Sequence, residues 1–251
     1  MDQAFPPDTP LPCRVRPSPN HGDRRGRAVR HIVLHYTGMP SVAAARAWLC
    51  EPRSEVSSHY LIDEAGGIEQ LVPEARRAWH AGRSYWRGER DLNSTSIGIE
   101  IANAGHVGGL PPFPDVQIEA VVALCRDVMA RWAIPPWDIL AHSDIAPDRK
   151  TDPGENFPWS RLAREGVGVW PAFAQAPIGP VLGLGSCGGR IAALQETLGS
   201  QGYEIAATGS FDRATHLATA SFQRRFRPER VDGAVDGETW SRLQAVLGAQ
   251  A

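Results

Sequence analysis

Only four of the 251 residues are cysteine, Cys13, Cys50, Cys125 and Cys187, and no two form a C-x-x-C pair. That spacing excludes a cysteine zinc site, and a disulfide framework is not expected. Cys50 and Cys125 fall in apolar helical patterns, where a thiol behaves as a small hydrophobe. Excess charge is lacking too: the net charge is −2 and the pI about 6.4. Nothing draws the chain to a polyanion, so no nucleic-acid partner is expected. No apolar run approaches the ~20 residues of a membrane helix, so no membrane partner is expected either. The opening residues, Met1 to Pro7, hold neither a basic region nor an apolar one. They do not read as a secretory signal. The expectation is a cytoplasmic chain that works as a monomer, with a periplasmic or extracellular chain as the alternative.

What is present is enough apolar residue, 42%, to build a core, in one large domain or two. Residues 1–28 carry Pro6, Pro7, Pro10, Pro12, Pro17 and Pro19, then Arg24-Arg25-Gly26-Arg27. Proline at this density predicts an extended arm without ladder pairing, and the basic cluster reads as solvated. Residues 29–172 read as an alternation of strands and helices. The run Ile32-Val33-Leu34 predicts an interior strand over 30–36. Ser41 caps a helix over 42–50, with Trp48 and Leu49 inward. A hairpin spans 57–63 and 68–72. In 96–102, Ile97, Ile99 and Ile101 fill one face with a period of two. Glu100 stands on the other face between Gly98 and Ala102, which are too small to cover it. A helix over 116–132, capped by Asp115, carries the stripe Ile118, Val122, Cys125, Met129, Trp132.

Residues 173–189 are rich in glycine and proline and carry no charge until Gly189, which reads as a linker. In 190–251 the segment Gly209-Ser210-Phe211-Asp212-Arg213-Ala214-Thr215 echoes at Gly233-Ala234-Val235-Asp236-Gly237-Glu238-Thr239. Each copy offers a glycine turn, an inward apolar residue, and an aspartate that caps a helix with threonine at its third position. Three short helices, near 190–200, 213–225 and 237–247, are expected to form a compact module.

Two stretches carry the chemistry. Ile32-Val33-Leu34-His35 and Ile139-Leu140-Ala141-His142 each end an apolar strand on a histidine, and Asp152 follows in Lys150-Thr151-Asp152-Pro153-Gly154. Two imidazoles and one carboxylate with a fourth position open make a catalytic zinc site. The reading from the residues is a zinc amide hydrolase.

The run from His31 to Trp170 resembles the zinc-dependent N-acetylmuramoyl-L-alanine amidases of the type-2 amidase family, relatives of phage amidase lysozymes and of peptidoglycan-recognition proteins. The motifs are Leu34-His35-Tyr36-Thr37, Ser57-Ser58-His59-Tyr60, Ala78-Trp79-His80-Ala81-Gly82, Ser96-Ile97-Gly98-Ile99-Glu100, Ala141-His142-Ser143-Asp144 and Lys150-Thr151-Asp152-Pro153-Gly154. The tail resembles the small helical peptidoglycan-binding domain through Leu194-Gln195, Gly202-Tyr203, Phe222-Gln223 and Val231-Asp232-Gly233.

The resemblance implies an α/β fold, a mixed central sheet flanked by helices, with zinc in a groove at the strand ends. It implies cleavage of the amide between N-acetylmuramic acid, or its anhydro form, and L-alanine of the stem peptide, with muropeptides as partners. It implies His35, His142 and Asp152 as zinc ligands, Glu100 as acid and base, and Lys150 facing the oxyanion. Some phage relatives carry a catalytic tyrosine where Ser58 stands and a cysteine where Asp152 stands, so this chain looks like the branch in which the glutamate assists. Trp79, His80, His59 and Asn103 are candidate substrate contacts. The alternatives are a non-catalytic wall-recognition protein, a phage-type lytic amidase, and a zinc peptidase acting within the stem peptide.

Overall fold

The computed structural model describes residues 5–174 and 179–249. Residues 1–4 of the expected arm and 175–178 of the expected linker lie outside the described residues. In chain order the elements are β1 (Cys13–Val15), β2 (His21–Gly22), β3 (His31–Tyr36), α1 (Val42–Leu49), β4 (Tyr60–Ile62), β5 (Ile68–Gln70), β6 (Arg77–Ala78), α2 (Leu92–Thr95), β7 (Ser96–Ile101), α3 (Asp115–Trp132), β8 (Ile139–Ala141), α4 (His142–Ile145), α5 (Trp159–Arg164), α6 (Gly189–Gln201), α7 (Arg213–Phe226) and α8 (Gly237–Gly248). No helix among the described residues is long and apolar enough to cross a membrane.

Six strands form one mixed sheet in the order β1-β5-β4-β7-β3-β8, in which only β4 and β5 run antiparallel; β2 and β6 pair apart from it. The period of two decides what each face does. Ile32 and Leu34 of β3, Ile97, Ile99 and Ile101 of β7 and Ile139 of β8 enter one buried cluster with Ile118, Val121, Cys125 and Val128 of α3. The intervening residues point to the opposite face. There Val33 and Leu140 join a second cluster, and His35 and Glu100 end the same rows. β3, β7 and β8 are parallel, so His35, Glu100 and His142 all lie at carboxyl ends of neighbouring strands, where open α/β sheets hold their ligands.

The N-terminal arm is not free of the ladder. β1 pairs in parallel with β5, and Arg16 N–H continues the pairing to the Gln70 carbonyl at 2.9 Å. Proline forbids only its own N–H bond, and the three residues between Pro12 and Arg16 carry none. Nor is the basic cluster wholly solvated. Arg24 is 6% exposed, and its guanidinium donates to the carbonyls of Glu74, Ser94 and Ser96. Trp48, expected inside, is half exposed; α1 packs through Ala45 and Leu49 instead.

The three expected tail helices are present, and both copies of the echo are built alike. Asp212 accepts from Thr215 N–H and Asp236 from Thr239 N–H, each at 2.9 Å. The preceding Phe211 and Val235 are buried. The tail is not a separate body, however. Ile191, Leu194, Leu198, Tyr203, Phe222, Phe226 and Leu243 share one apolar cluster with Val33, Trp86, Leu92, Leu140, Ile145 and Ala146. The tail therefore covers the second face of the sheet. Val169 and Trp170, just before the expected linker, and Phe173, its first residue, pack against the same cluster.

Candidate metal centre and its cleft

His35, His142 and Asp152 meet at one point. His35 Nδ1 and His142 Nδ1 lie 2.9 Å apart, and Asp152 Oδ2 lies 3.0 and 2.9 Å from them. All three residues are buried, with exposures of 1, 2 and 6%. Two segments 117 residues apart in sequence come together because β3 and β8 are adjacent. The turn after β8 is closed by Ser143 N–H donating to the Asp152 carbonyl at 3.0 Å.

The hydrogen bonds assign the tautomers. Ser96 Oγ donates to the Leu92 carbonyl, so it accepts from His80 Nε2–H at 3.2 Å. His80 Nδ1 is then an acceptor, and His35 Nε2–H donates to it at 3.0 Å. This leaves His35 Nδ1 with a bare lone pair aimed at His142 and Asp152. The other nitrogen of His142, Nε2, donates to the Ala81 carbonyl at 3.3 Å, which bares its Nδ1 as well. Outer partners of this kind fix a ligand's tautomer and ring orientation.

Charge follows the same pattern. Burial, reinforced by His142, lowers the His35 pKa to about 4 against the pull of Asp152, so its ring is neutral at pH 7. Burial alone would raise the Asp152 pKa, but the facing His142 and His35 outweigh it and hold the carboxylate well below the usual range. Two imidazole nitrogens and one carboxylate oxygen converging on one point fit a divalent metal such as zinc. Among the described residues this is the single histidine, cysteine and acidic cluster with that geometry.

Glu100 pairs across the strands with His35 and lines the cleft beside it. Its Oε2 is buried without a hydrogen-bond partner. Burial first, then the Asp152 charge, raise its pKa well above the ordinary carboxyl value, while Lys150 opposes them. Lys150 lines the same cleft. Gly98 serves another purpose than uncovering Glu100. A Cβ there would lie 2.4 Å from His80 Cγ, so the strand must be bare where the His80 ring crosses it.

The candidate substrate contacts separate. Trp79 lines the cleft and is partly exposed. His80 reaches the cleft too, but both ring nitrogens are engaged by His35 and Ser96. His59 does not reach it. The residue is fully buried, Nδ1 accepts Gly98 N–H at 2.9 Å, and Nε2 donates to the Arg76 carbonyl at 3.0 Å. Asn103 is likewise committed to the backbone. Its Oδ1 accepts Gly105 N–H and its Nδ2 donates to the Pro111 carbonyl, both at 2.9 Å. It shapes the 103–111 loop.

Sequence reasoning missed the apolar wall of the cleft, Met39, Trp48, Leu49 and Val56, because α1 reads as an ordinary amphipathic helix. It also missed the rim, where Tyr36 Oη lies 2.9 Å from His106 Nδ1 and 3.0 Å from Thr151 Oγ1. The adjacency of Tyr36 to His35 and of Thr151 to Asp152 was the available signal.

Comparison with known proteins agrees with this geometry. The family model for N-acetylmuramoyl-L-alanine amidase matches residues 25–155, and the peptidoglycan binding domain model matches 187–243. The chain is 38% identical over 239 residues to N-acetylmuramoyl-L-alanine amidase AmiD of Escherichia coli, covering 87% of this chain and 82% of that protein. It is 42% identical over 168 residues to the 1,6-anhydro-N-acetylmuramyl-L-alanine amidase AmpD of Enterobacter cloacae, covering 60% and 88%. The solved complex of E. coli AmiD with anhydro-N-acetylmuramic acid-L-Ala-D-γ-Glu-L-Lys superposes with a TM-score of 0.77 at 36% identity, over 93% of each chain. The chain belongs to the N-acetylmuramoyl-L-alanine amidase family.

Proposed function

We propose that the chain hydrolyses the amide between the lactyl carbonyl of N-acetylmuramic acid, or of its 1,6-anhydro form, and the L-alanine of a stem peptide. The observation that carries this is the convergence of His35 Nδ1, His142 Nδ1 and Asp152 Oδ2 beside Glu100, whose buried Oε2 has no hydrogen-bond partner. The three donors would hold zinc, which when bound acidifies water and polarises a carbonyl oxygen. Glu100 moves the proton. Burial raises its pKa and so makes its carboxylate a stronger base, which accepts a proton from the attacking water and returns it to the leaving amine. Lys150 sets a positive charge where the carbonyl oxygen becomes negative. Trp48, Trp79 and Met39 exclude water and offer the sugar an apolar surface. The amidases named above act on or hold the same linkage by their titles, which supports soluble muropeptides as the substrate class.

Mass analysis of a digested muropeptide tests the proposal. Release of the intact stem peptide and the free sugar acid is expected. A shortened peptide would make the protein a peptidase, and an unchanged substrate a recognition protein. Metal analysis of the same preparation is expected to find one zinc per chain. A chelator should abolish activity and added zinc restore it; full activity in metal-free protein would refute the zinc site.

A further inference from the structure

The turn that carries His142 is held from the far side of the domain junction. Ser143 and Asp144, which follow it, are each 2% exposed. Ser221 Oγ of α7 donates to the Ser143 carbonyl at 2.7 Å. Besides a longer contact from the same Ser221 hydroxyl, at 3.5 Å, the Asp144 carboxylate receives three donors. Ala141 N–H, immediately before His142, reaches Oδ2 at 2.9 Å; Arg225 Nη1 reaches the same oxygen at 3.0 Å; Tyr203 Oη reaches Oδ1 at 3.2 Å. Arg225 is 4% exposed, and its guanidinium lies 4.2 Å over the Trp159 ring. Both backbone neighbours of His142 are thus tied to the tail, one directly and one through Asp144.

Without the tail, this turn keeps only short local ties, Ser143 N–H to the Asp152 carbonyl and His142 Nε2–H to the Ala81 carbonyl among them. It is a four-residue helix after a three-residue strand, too short to be stable by its own hydrogen bonds. A buried ion pair is also a poor way to add stability, since apolar groups of similar volume often serve as well. What it adds here is direction. Asp144 is anchored on one side by Arg225 and Tyr203, and on the other it orients the peptide that leads into the ligand.

We propose that α7 and the Tyr203 corner are a clamp on the metal centre, with Ser221, Arg225 and Tyr203 as positioning residues for His142. The helical tail then serves the reaction from behind the ligand, independently of any grip on polymeric wall. The inference rests on the zinc reading above.

The test is zinc retention by the full-length chain, measured as competition with a chelator at a temperature where every variant is folded. Two variants remove the clamp gently: Ser221→Ala with Tyr203→Phe, and Asp144→Asn with Arg225→Met. A third, Leu194→Ala, thins the same apolar cluster without touching the turn. The clamp variants are expected to bind zinc about tenfold or more weakly, the size of effect of outer partners of metal ligands. Leu194→Ala is expected to melt earlier yet keep wild-type affinity. If wild type holds zinc and the clamp variants hold it equally well, the clamp is refuted and the zinc site stands. If Leu194→Ala weakens zinc as much as they do, the tail acts by packing alone and the clamp is refuted. If wild type holds no zinc, the metal reading fails and the clamp with it.

Discussion

At the scale of single residues, Glu100 owes its position to β7 and its chemistry to its neighbours. Replacing it by glutamine leaves His35, His142 and Asp152 untouched and removes the proton carrier. Glu100→Gln is therefore expected to keep its zinc and to lose about 10²-fold or more in kcat, as for a missing general base. Steady-state rates beside metal content check this, and near wild-type turnover would place the base elsewhere. Burial also keeps histidines neutral: His35 titrates at about 4, and His59 and His80 well below the ordinary value. In the unfolded chain these rings take up protons near pH ~6.5. Between that pH and about 4 the unfolded state binds more protons, so folding stability falls as pH falls. Glu100 opposes this, because its raised pKa lets the folded state take up a proton first. Three rings against one carboxyl leave the balance with the rings. Metal-free protein is expected to melt at lower temperature at pH 5 than at pH 7, and an unchanged midpoint would contradict the neutral-ring assignment.

At the scale of elements, the aspartate caps of α7 and α8 are the most local devices in the tail. Asp212→Ala and Asp236→Ala are each expected to cost about 1 kcal/mol, read as a fall in the denaturant midpoint. The sequence made these caps visible because an N-cap and its third residue are adjacent in the chain. It did not reveal their shared partners. Gln195 Oε1 accepts Gly209 N–H while its amide donates to Ser210 O and Thr215 Oγ1, and Gln223 does the same with Gly233, Ala234 and Thr239. A glutamine at helical spacing reads as solvated surface, so this half of the echo is invisible without coordinates. Periodicity placed α3 well, but its deepest side chains include Val121 and Val128, with Met129 and Trp132 only partly covered. Stripes one position apart share most of their residues, and only the curvature of the sheet decides between them. That His35, His142 and Asp152 converge beside Glu100 was legible because strand ends and motif spacing fix where these residues lie. That the polar atoms of His59 and Asn103 meet backbone was not legible, because a buried polar side chain in a motif looks alike in sequence whether it faces ligand or backbone.

At the scale of the whole molecule, composition marked a break near 173–189 that packing then spans. A chain ending at residue 174 would expose the apolar second face of the sheet, Val33, Leu140 and Ile145 among it, and strip Tyr203, Ser221 and Arg225 from Asp144. Returning one such apolar side chain to water costs about 1.5–3 kcal/mol, so several together amount to a large share of the ~5–15 kcal/mol that holds a domain together. Residues 1–174 alone are expected to be insoluble or to melt far below the full chain; a truncated protein with the full chain's thermal midpoint would overturn this. Contacts 77 to 81 residues apart, as between Asp144, Ser221 and Arg225, leave no trace in linker composition.

The arm strand β1 has a consequence at the sheet's rim. Without it, β5 would present an unpaired row of N–H and C=O groups, an open template for a second chain. Three residues of β1 occupy that row. Pro10 and Pro12 on one side and Pro17 and Pro19 on the other, each without an N–H, flank the new edge. At the opposite rim β8 offers only three residues before the chain turns into α4. The prolines that first suggested a loose arm thus guard the protein against sheet-to-sheet aggregation.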